Sequence, residues 1–531
     1  MLLKNVIRLI GREIIFSLAL ALICAAANSQ DFSNKGKDFW LAYPGHIDAT
    51  SSRMALYISS DQNTAGVVEL AGATISFNVS ANQATVVQIY PTTYNVYNSQ
   101  SDGINAGKGI HITSAKPIVV YAHVLNSARS GSTLVLPTNT LGRDYTCIAY
   151  TQVSNGPKTA KSQFTVVGVE DNTTVEITPT VPSVNNTRAA GVAFTVVLNK
   201  GDVYQFQSYS DITGSKVKSL STGSGCKPLA VFSGSTWDYF DCPAGTSGDN
   251  LFGQLFPSAT WGKNYVTAPF VNRQSDIFRI MVQDPTSIIT LNGTQLNAAS
   301  LINGTYYEFK SSTGNVITSD KPIIVIQFMT SMACTPNATV GDPEMIILNA
   351  VEQTLKSATV LSARRDLTPP NTNITAHYLN IITLSSAAAS IRVDGVAPAS
   401  QAQAIAGSKY VFFQENVTNS TLSNPTHTIS GDSGFIAIAY GVGNVESYGY
   451  NAGTNVKDLY QYVSLKNEYS TVDFPATCRN TPFQFSITLP YNATSLTWDF
   501  NNNANLFPNN IVVNNSPKPD STFTRDGRSL Y

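Results

Sequence analysis

The sequence predicts an all-β fold, built as tandem β-sandwich-like repeats of about four units, each roughly 100 residues long. Short runs such as FTVVGV and KPIIVIQF are rich in Val, Ile, Thr and aromatic residues, which are typical of strands. Clusters of Gly, Asn, Asp and Pro separate these runs and favour turns. The same motifs also recur along the chain in the same order, which indicates a repeated structural unit.

The first recurring motif opens each unit. It reads GKDFWLAYP, GRDYTCIAY and GKNYVTAPF, at residues 36–44, 142–150 and 262–270. Phe39, Tyr145 and Tyr265 occupy one position of this repeat, and we expect them to anchor the core of their units. The motif is therefore interpreted as scaffold rather than as three copies of a binding site.

The second motif is a strand entered through Lys-Pro. It reads ITSAKPIVVYAH at 112–123 and ITSDKPIIVIQF at 317–328, with looser copies at 225–234 and 431–441. Proline suits the first position of a strand, where its missing donor can go unpaired. Of the rest, only EMIILNAVEQTLK at 344–356 has a helical pattern. The predicted units cover 31–127, 135–240, 255–334 and 341–453. A propeller-like ring is the alternative, although such units exceed a normal blade in length.

The N-terminus predicts export. Lys4, Arg8 and Arg12 precede the apolar run 14–27, and small residues follow, a pattern typical of a secretory signal peptide over residues 1–29. A transmembrane anchor is the alternative, but this run is short for one. No other stretch is long and apolar enough to span a bilayer. We therefore expect a secreted or cell-surface protein with no transmembrane segment in the mature chain.

The composition argues against a nucleic-acid partner. Charged residues make up 13% of the chain and the net charge is −1, so no basic field is available to attract a phosphate backbone. The polar surface must instead be formed by Ser, Thr, Asn and Gln, a composition common among extracellular β-proteins.

The cysteines predict one disulfide. Six are present, and Cys24 leaves with the signal peptide, so an odd number remains in the mature chain. Cys226 and Cys242 lie 16 positions apart across a predicted hairpin and form the expected pair. The pairing of Cys147, Cys334 and Cys478 is left open, and no Cys/His spacing suggests zinc.

One loop stands out as a candidate for ligand binding. In STWDYFDCPAG at 235–245, the aromatic residues Trp237, Tyr239 and Phe240 crowd a segment that has no counterpart in the other units. Loops carried on a rigid scaffold are common recognition sites, and aromatic residues frequently dominate their binding energy. We therefore expect these three residues to contact a ligand.

Several blocks, in order over about residues 35–450, resemble the N-terminal domain of IgGFc-binding proteins. They are GKDFWLAYP, KPIVVYAHVLNSARSGSTLVLPTNTLGRDYTCIAY, GCKPLAVFSGS, LFPSATWGKNYVTAPF and GDPEMIILNAVEQ. Similar domains occur in secreted bacterial proteins, especially of the Bacteroidota. The resemblance implies extracellular recognition or adhesion, with a host or matrix glycoprotein or glycan as partner, immunoglobulin Fc and mucin included. It carries over no ligand-binding residues.

The tail has a second resemblance. After a linker at 454–468, residues 469–531 resemble the start of a PKD-like β-sandwich of the Ig type, with Trp498-Asp499-Phe500 in the matching position. Asn501-Asn502-Asn503 replaces the usual Gly-Asp-Gly, and we expect only a partial module. No cofactor is predicted. Oxygen ligands such as Asp499, Asn501 and Asn503 would suit Ca²⁺, and a plain polar turn is the alternative.

Catalytic motifs are weak. GDSGF at 431–435 resembles a serine-protease nucleophile loop, but the repeat places Ser433 in the turn before a strand, and no histidine is marked as its partner. The sequence therefore favours a non-catalytic extracellular protein that binds glycoprotein, mucin or polysaccharide. A secreted carbohydrate-active hydrolase with an unrecognised pair of carboxylates, or a structural spacer, remains the alternative.

Overall fold

The protein is almost entirely β in the part of the chain that the structure describes. The computed structural model describes residues 33–126, 128–152, 159–220, 227–240, 242, 247–363, 374–456, 462–467, 471–472, 483–489, 493–500, 502, 510–519, 524–525 and 528–530. The predicted signal peptide at 1–29 lies outside these residues. In the described part, no helix has both the length and the apolar character that crossing a bilayer requires.

The strands group into four β units, followed by a C-terminal segment. The first unit contains β1 (Gly36–Leu41), β2 (Arg53–Ser59), β3 (Thr64–Leu70), β4 (Ala73–Val79), β5 (Ala84–Ile89), β7 (Ile110–Asn126) and β8 (Arg129–Val135). Strand β6 (Asp102–Asn105) lies between β5 and β7 in the chain but pairs with β13, in a sheet of the second unit. The second contains β9 (Asp144–Thr146), β10 (Ser162–Gly168), β11 (Thr173–Thr178), β12 (Phe194–Leu198), β13 (Val203–Ser208), β14 (Lys216–Leu220), β15 (Leu229–Asp238) and β16 (Asp249–Gln254).

The third and fourth units follow the same plan. The third contains β17 (Gly262–Thr267), β18 (Asp276–Val282), β19 (Ile289–Leu291), β20 (Thr294–Gln295), β21 (Tyr306–Ser311), β22 (Asn315–Met329) and β23 (Glu344–Ile347). The fourth contains β24 (Leu355–Leu361), β25 (Ile374–Leu384), β26 (Arg392–Val393), β27 (Gln403–Ala404), β28 (Tyr410–Asn416), helix α1 (Thr418–Ser423), β29 (Thr426–Gly443) and β30 (Glu446–Asn451).

The remaining elements are short. The C-terminal strands are β31 (Tyr462–Asn467), β32 (Thr471–Val472), β33 (Phe483–Leu489), β34 (Leu496–Asp499), β35 (Ile511–Asn514), β36 (Thr524–Arg525) and β37 (Arg528–Leu530). The described 3₁₀ turns are Ala49–Ser51, Thr138–Thr140, Ser258–Thr260, Ala298–Ser300, Met332–Cys334, Val351–Gln353 and Ser385–Ser390. The helical pattern predicted over 344–356 is wrong, because Met345, Ile346 and Ile347 form a buried strand instead.

The first, third and fourth units are each built on one long strand, which is β7, β22 or β29. The first half of β7 pairs with β1 and β3, and its second half pairs with β2 and β8. The Lys-Pro motif lies between the two halves, at Pro117 in β7 and Pro322 in β22. In the second unit the corresponding halves are the separate strands β14 and β15. The repeated motif therefore marks where the strand passes from one sheet to the other.

The four units close into a ring around one axis. The last strands of the units, β8, β16, β23 and β30, surround this axis, and we call them the axial strands. β8 contacts β16 and β30, and β23 contacts the same two strands. β8 and β30 run in the same direction, since contacts join Ser130 to Ser447 at one end and Ser132 to Gly449 further along. The contacts Ser130–Asp249 and Thr133–Gln254 show the same direction for β16, and the contacts Asp342–Ser447 and Ile347–Asn451 show it for β23. Ring closure also brings Asn34 to Thr454. The arrangement resembles a propeller whose blades are whole β-sandwiches.

The repeated aromatic position lies in the core, as predicted. Phe39, Tyr145 and Tyr265 are at most 1% exposed. A 3₁₀ turn leads into the first strand of the second, third and fourth units, and connects it to the axial strand of the preceding unit. The 3₁₀ turn that connects successive units is therefore repeated along the chain, as the strands are.

Candidate functional site

A disulfide joins the second and third units. It links Cys242, in the loop after β15, to Cys334, in the 3₁₀ turn after β22, with the two Cα atoms 4.7 Å apart. The predicted Cys226–Cys242 pair is therefore wrong, because contact between units brings Cys334 to Cys242. Cys226 and Cys478 lie outside the described residues. Cys147 is a free, buried thiol.

The aromatic loop predicted to bind a ligand is mostly core. Trp237 lies in β15, one residue before its end, is 8% exposed, and donates its indole Nε1–H to the carbonyl oxygen of Gly248 over 2.8 Å. Phe240 is 2% exposed and packs edge-on against Tyr150. Tyr239 keeps partial exposure beside the Trp237 ring. This corrects the expectation of a displayed aromatic cluster, because burial removes Trp237 and Phe240 from direct contact with a ligand.

A cleft of about 550 Å³ opens next to this disulfide. Its walls are the turn between β17 and β18 and the loop between Cys334 and β23. The lining residues are Asn272, Arg273, Gln274, Thr335, Pro336, Asn337, Ala338, Thr339 and Val340. The cleft begins one residue after Cys334, and the bonded Cys242 is three positions from Tyr239. The disulfide therefore brings the predicted loop and the cleft into the same region.

Hydrogen bonds fix both walls of the cleft. The backbone N–H of Gln274 donates to Thr335 Oγ1 over 3.0 Å, and Arg273 Nη2 donates to the Val340 carbonyl over 2.9 Å. Gly341 ends the loop with φ of +99°, and a Cβ atom there would lie 1.6 Å from Arg273 Nη2. Only glycine allows this approach of the arginine. The cleft is thus held in shape without a ligand.

Arg273 supplies the charge of the cleft. In the described part of the chain it forms no ion pair within 4.0 Å, although the carboxyl groups of Asp276 and Asp342 influence it from behind. Both acids are almost completely buried. Burial raises the pKa of Asp276 to about 7 and that of Asp342 to about 6. Neither carboxyl group lies among the residues that line the cleft, so Arg273 is the one charged side chain of its lining.

Comparison with known proteins identifies the family. The family model described as IgGFc binding protein matches residues 131–441, more than half of the 531 residues. The chain belongs to the IgGFc-binding protein family. The matched region extends from the axial strand of the first unit into β29, and it includes the whole cleft.

Similarity of this family member to solved structures is low. A GH78 family rhamnosidase of Bacillus sp. GL1 is 9% identical, with a TM-score of 0.13, over 63% of this chain and 56% of the rhamnosidase. A 1.5-MDa bacterial ice-binding adhesin is 12% identical, with a TM-score of 0.10, over 56% of this chain and 90% of the adhesin chain. These scores are too low to assign a shared fold or activity. No curated protein matches the sequence significantly.

Buried carboxyl groups gather where the axial strands of this IgGFc-binding family member begin. Asp249 in β16 interacts electrostatically with Asp342, Glu344 and Glu446. Burial and this mutual repulsion raise the pKa of Asp249 well above its ordinary value. Its Oδ1 accepts a hydrogen bond from the Ser130 amide over 2.6 Å. Among the described residues, no group of three or more His, Cys, Asp and Glu side chains is arranged to hold a metal ion.

One arrangement resembles a catalytic triad in its distances. His427 Nε2 lies 3.0 Å from Thr421 Oγ1, and His427 Nδ1 lies 2.8 Å from Asp394 Oδ2. Thr421, however, is fully buried, and its hydroxyl donates to the Val417 carbonyl within α1. A buried hydroxyl in this position cannot reach a substrate, so the arrangement stabilises the helix. Ser433 of the GDSGF motif is exposed and lies within the continuous strand β29, so its predicted position in a turn before a strand is wrong.

The predicted calcium ligands are only partly described. Asp499 lies exposed in β34, which pairs with β35. Asn501 and Asn503 lie outside the described residues, so Ca²⁺ binding by this set stays a prediction. The cleft has a different character: it is lined by amide and hydroxyl side chains that no motif singles out. Its one signal in the sequence is the short polar segment TPNATV before GDPE, which sequence reasoning passed over.

Proposed function

We propose that this protein is a non-catalytic binding protein, secreted or displayed at the cell surface, that recognises a host or matrix glycoprotein, mucin or polysaccharide. The observation that carries the proposal is the preformed cleft of about 550 Å³ within the residues matched by the IgGFc-binding family model. Concave sites of this size suit a small ligand or one end of a larger chain. Immunoglobulin Fc is one of the partners to be tested.

The rigidity of the ring supports a binding role. Arg279 in β18 is completely buried, and it connects the third unit to the second through the carbonyl oxygen of Ala149 and the carboxylate of Asp211. The disulfide joins the same two units. A site that is ordered before binding loses less conformational entropy when its ligand arrives. The predicted signal peptide and the PKD-like tail are consistent with a surface protein of the Bacteroidota and form part of the same proposal.

Binding of the purified mature chain to an array of glycans, mucins and immunoglobulin Fc tests this function. We expect saturable binding to at least one member of the array. Tyr239→Ala tests the exposed part of the aromatic loop, and Tyr90→Ala, which alters an exposed tyrosine of the first unit, is the matched control. Absence of binding to every member would overturn the proposal in favour of a spacer. Release of shortened glycans from the array would overturn it in favour of a hydrolase.

A further inference from the structure

The cleft combines one cation with a set of unengaged polar side chains. Asn272, Gln274, Asn337 and Thr339 are exposed at its walls. Within the described residues, these four side chains make no hydrogen bond to the protein. Amide and hydroxyl groups can donate to and accept from sugar hydroxyl groups, so they are free to engage a saccharide.

The cation is held at the surface of the cleft. Arg273 Nη2 donates a hydrogen bond to the Val340 carbonyl. Its Nη1 donates an exposed hydrogen bond of 3.2 Å to the carbonyl oxygen of the neighbouring Asn272. A carboxylate or sulfate would be a stronger acceptor for this group than a backbone carbonyl, because the hydrogen bond would then join two opposite charges and could be bidentate.

Arg273 and Arg279, in the same unit, differ in how their positive charges are paired. Arg279 forms ion pairs with Asp211 and Glu308, at 2.7 and 2.8 Å, whereas Arg273 has no such partner among the described residues. Asp276 and Asp342 influence Arg273 electrostatically, but both are buried, neither forms an ion pair with it among the described residues, and neither lines the cleft. The lining of the cleft therefore combines one cationic side chain with neutral polar ones.

We infer that the cleft binds an anionic saccharide, whose carboxylate or sulfate group lies against Arg273 while its hydroxyl groups contact Gln274, Asn337 and Thr339. The inference rests on the proposed binding function and names the class of ligand. Carboxylated and sulfated sugars share the required chemistry, and the experiment separates them.

Matched pairs of sugars test the ligand class on the full mature chain. Sialyllactose is compared with lactose, and 6-sulfo-N-acetylglucosamine with N-acetylglucosamine, by isothermal titration calorimetry. We expect at least one acidic sugar to bind about tenfold more tightly than its neutral partner. The difference should shrink as salt rises from about 0.05 to about 0.5 M, because salt screens partly exposed charges.

A charge introduced into the cleft tests the location. Asn337→Asp adds a carboxylate at the wall, and Asn303→Asp adds the same charge on an exposed turn of the same unit; both residues have left-handed backbone, with φ of 62° and 51°. We expect Asn337→Asp to weaken acidic-sugar binding about threefold or more, and Asn303→Asp to leave it unchanged. Gln274→Ala should also weaken binding, without any change of charge and without disturbing the core.

The outcomes separate the two proposals. Equal affinity for acidic and neutral sugars would overturn the anionic ligand class but leave the binding function standing. Acidic-sugar binding that Asn337→Asp and Gln274→Ala both leave intact would overturn the location. Failure of the mature chain to bind any sugar, mucin or Fc would overturn the function itself.

Discussion

The Tyr145 hydroxyl donates a hydrogen bond to the backbone carbonyl of Leu229 over 2.7 Å. The same hydroxyl accepts a bond from the Gly142 amide over 2.8 Å. Tyr265 repeats this connection in the third unit, where it donates to the Ile323 carbonyl over 2.8 Å. In each case the tyrosine ties the first strand of its unit to the strand that follows Lys-Pro. The repeated opening motif is thus a structural joint.

Removal of this hydroxyl should destabilise the unit that contains it. Tyr145→Phe leaves the amide of Gly142 and the carbonyl of Leu229 without a buried partner, which costs about 1–3 kcal/mol. We expect the midpoint of urea unfolding to fall, and tryptophan fluorescence would measure this midpoint. Tyr90→Phe is the control, since Tyr90 is 42% exposed. A Tyr145→Phe variant as stable as the wild type would show that the joint contributes nothing.

The disulfide should stabilise the contact between the second and third units. Cys242→Ser and Cys334→Ser each break it, and the closed loop of 92 residues should make either change cost about 2–4 kcal/mol. The expected measurement is a drop in thermal midpoint that reductant reproduces in the wild type. Cys226→Ser is the control and should change nothing. A non-reduced peptide map that links Cys226 to Cys242 would contradict the assignment.

The features that the sequence predicts well depend on local patterns. The buried anchors Phe39, Tyr145 and Tyr265 repeat within a motif whose alternation and flanking turn residues act over a few positions. The Lys-Pro segments are predicted as strands for the same reason, because strand propensity is a local property. The prediction that proline occupies the first position of a strand is wrong for Pro117 and Pro322, which lie inside the continuous strands β7 and β22.

The features that the sequence does not predict depend on contacts between units. Cys334 meets Cys242 only because the units close around an axis, and nothing local to either cysteine encodes this. Trp237 looks like a loop residue, yet β15 extends far enough to bury it. The cleft residues Gln274 and Asn337 come from separate loops of ordinary polar composition, so no spacing in the sequence marks them as a site.

The buried guanidinium of Arg279 should be essential to the second and third units. It forms ion pairs with Asp211 and Glu308 and lies 4.3 Å from the centre of the Tyr306 ring. Arg279→Met leaves both carboxylates without their partner and should cost about 3–5 kcal/mol, measured by urea unfolding.

Two variants sharpen this prediction. Arg279→Lys keeps the charge but loses the fork of donors, so we expect an intermediate loss of stability. Lys35→Met removes the partner of the exposed Asp61, 3.0 Å away, and should cost less than about 1 kcal/mol. Equal losses for Arg279→Met and Lys35→Met would contradict a special role for the buried ion pairs.

The axial carboxyl groups should make the ring less stable as pH rises. Burial and the neighbouring acids Asp342, Glu344 and Glu446 raise the pKa of Asp249 above its ordinary 3.8. The folded state therefore holds this proton where the unfolded chain has lost it. The stabilising contribution is complete below about pH 4 and is lost as pH rises through the raised pKa.

Asp249→Asn tests this contribution with a side chain of the same shape. The amide oxygen can still accept the Ser130 hydrogen bond, and the amide group replaces the protonated acid. We expect the variant to exceed the wild type in stability by about 1–3 kcal/mol at pH 8, and to match it below pH 4. Urea midpoints measured from pH 4 to 8 give the comparison, with the exposed Asp432→Asn as control. A variant less stable at pH 8 would mean that the acid is ionised and stabilising.

Two histidines, His123 and His111, should make the free energy of unfolding depend on pH in opposite directions. His123 is 1% exposed, and burial, with Arg53 nearby, lowers the pKa of its ring to about 3. Tyr57 and Tyr448 flank it. Because the folded state keeps this ring neutral, its contribution is present above about pH 6.5 and is lost as pH falls, by about 2 kcal/mol at pH 5. His123→Phe should remove that loss, which unfolding midpoints at pH 5 and 7.5 would measure.

His111 provides the opposite case on the same strand. Its burial alone would lower the pKa, but hydrogen bonds of 2.9 and 2.7 Å to Asp38 and Glu69 outweigh burial and raise it. The charged ring is therefore favoured in the folded state, and its contribution is present below about pH 6.5 and lost as pH rises through the raised pKa. His111→Gln should thus reduce stability more at pH 5 than at pH 8, whereas His123→Phe should increase it at pH 5. Parallel pH profiles for the two variants would contradict both assignments, since the sign in each case follows from whether carboxylates or apolar rings surround the histidine.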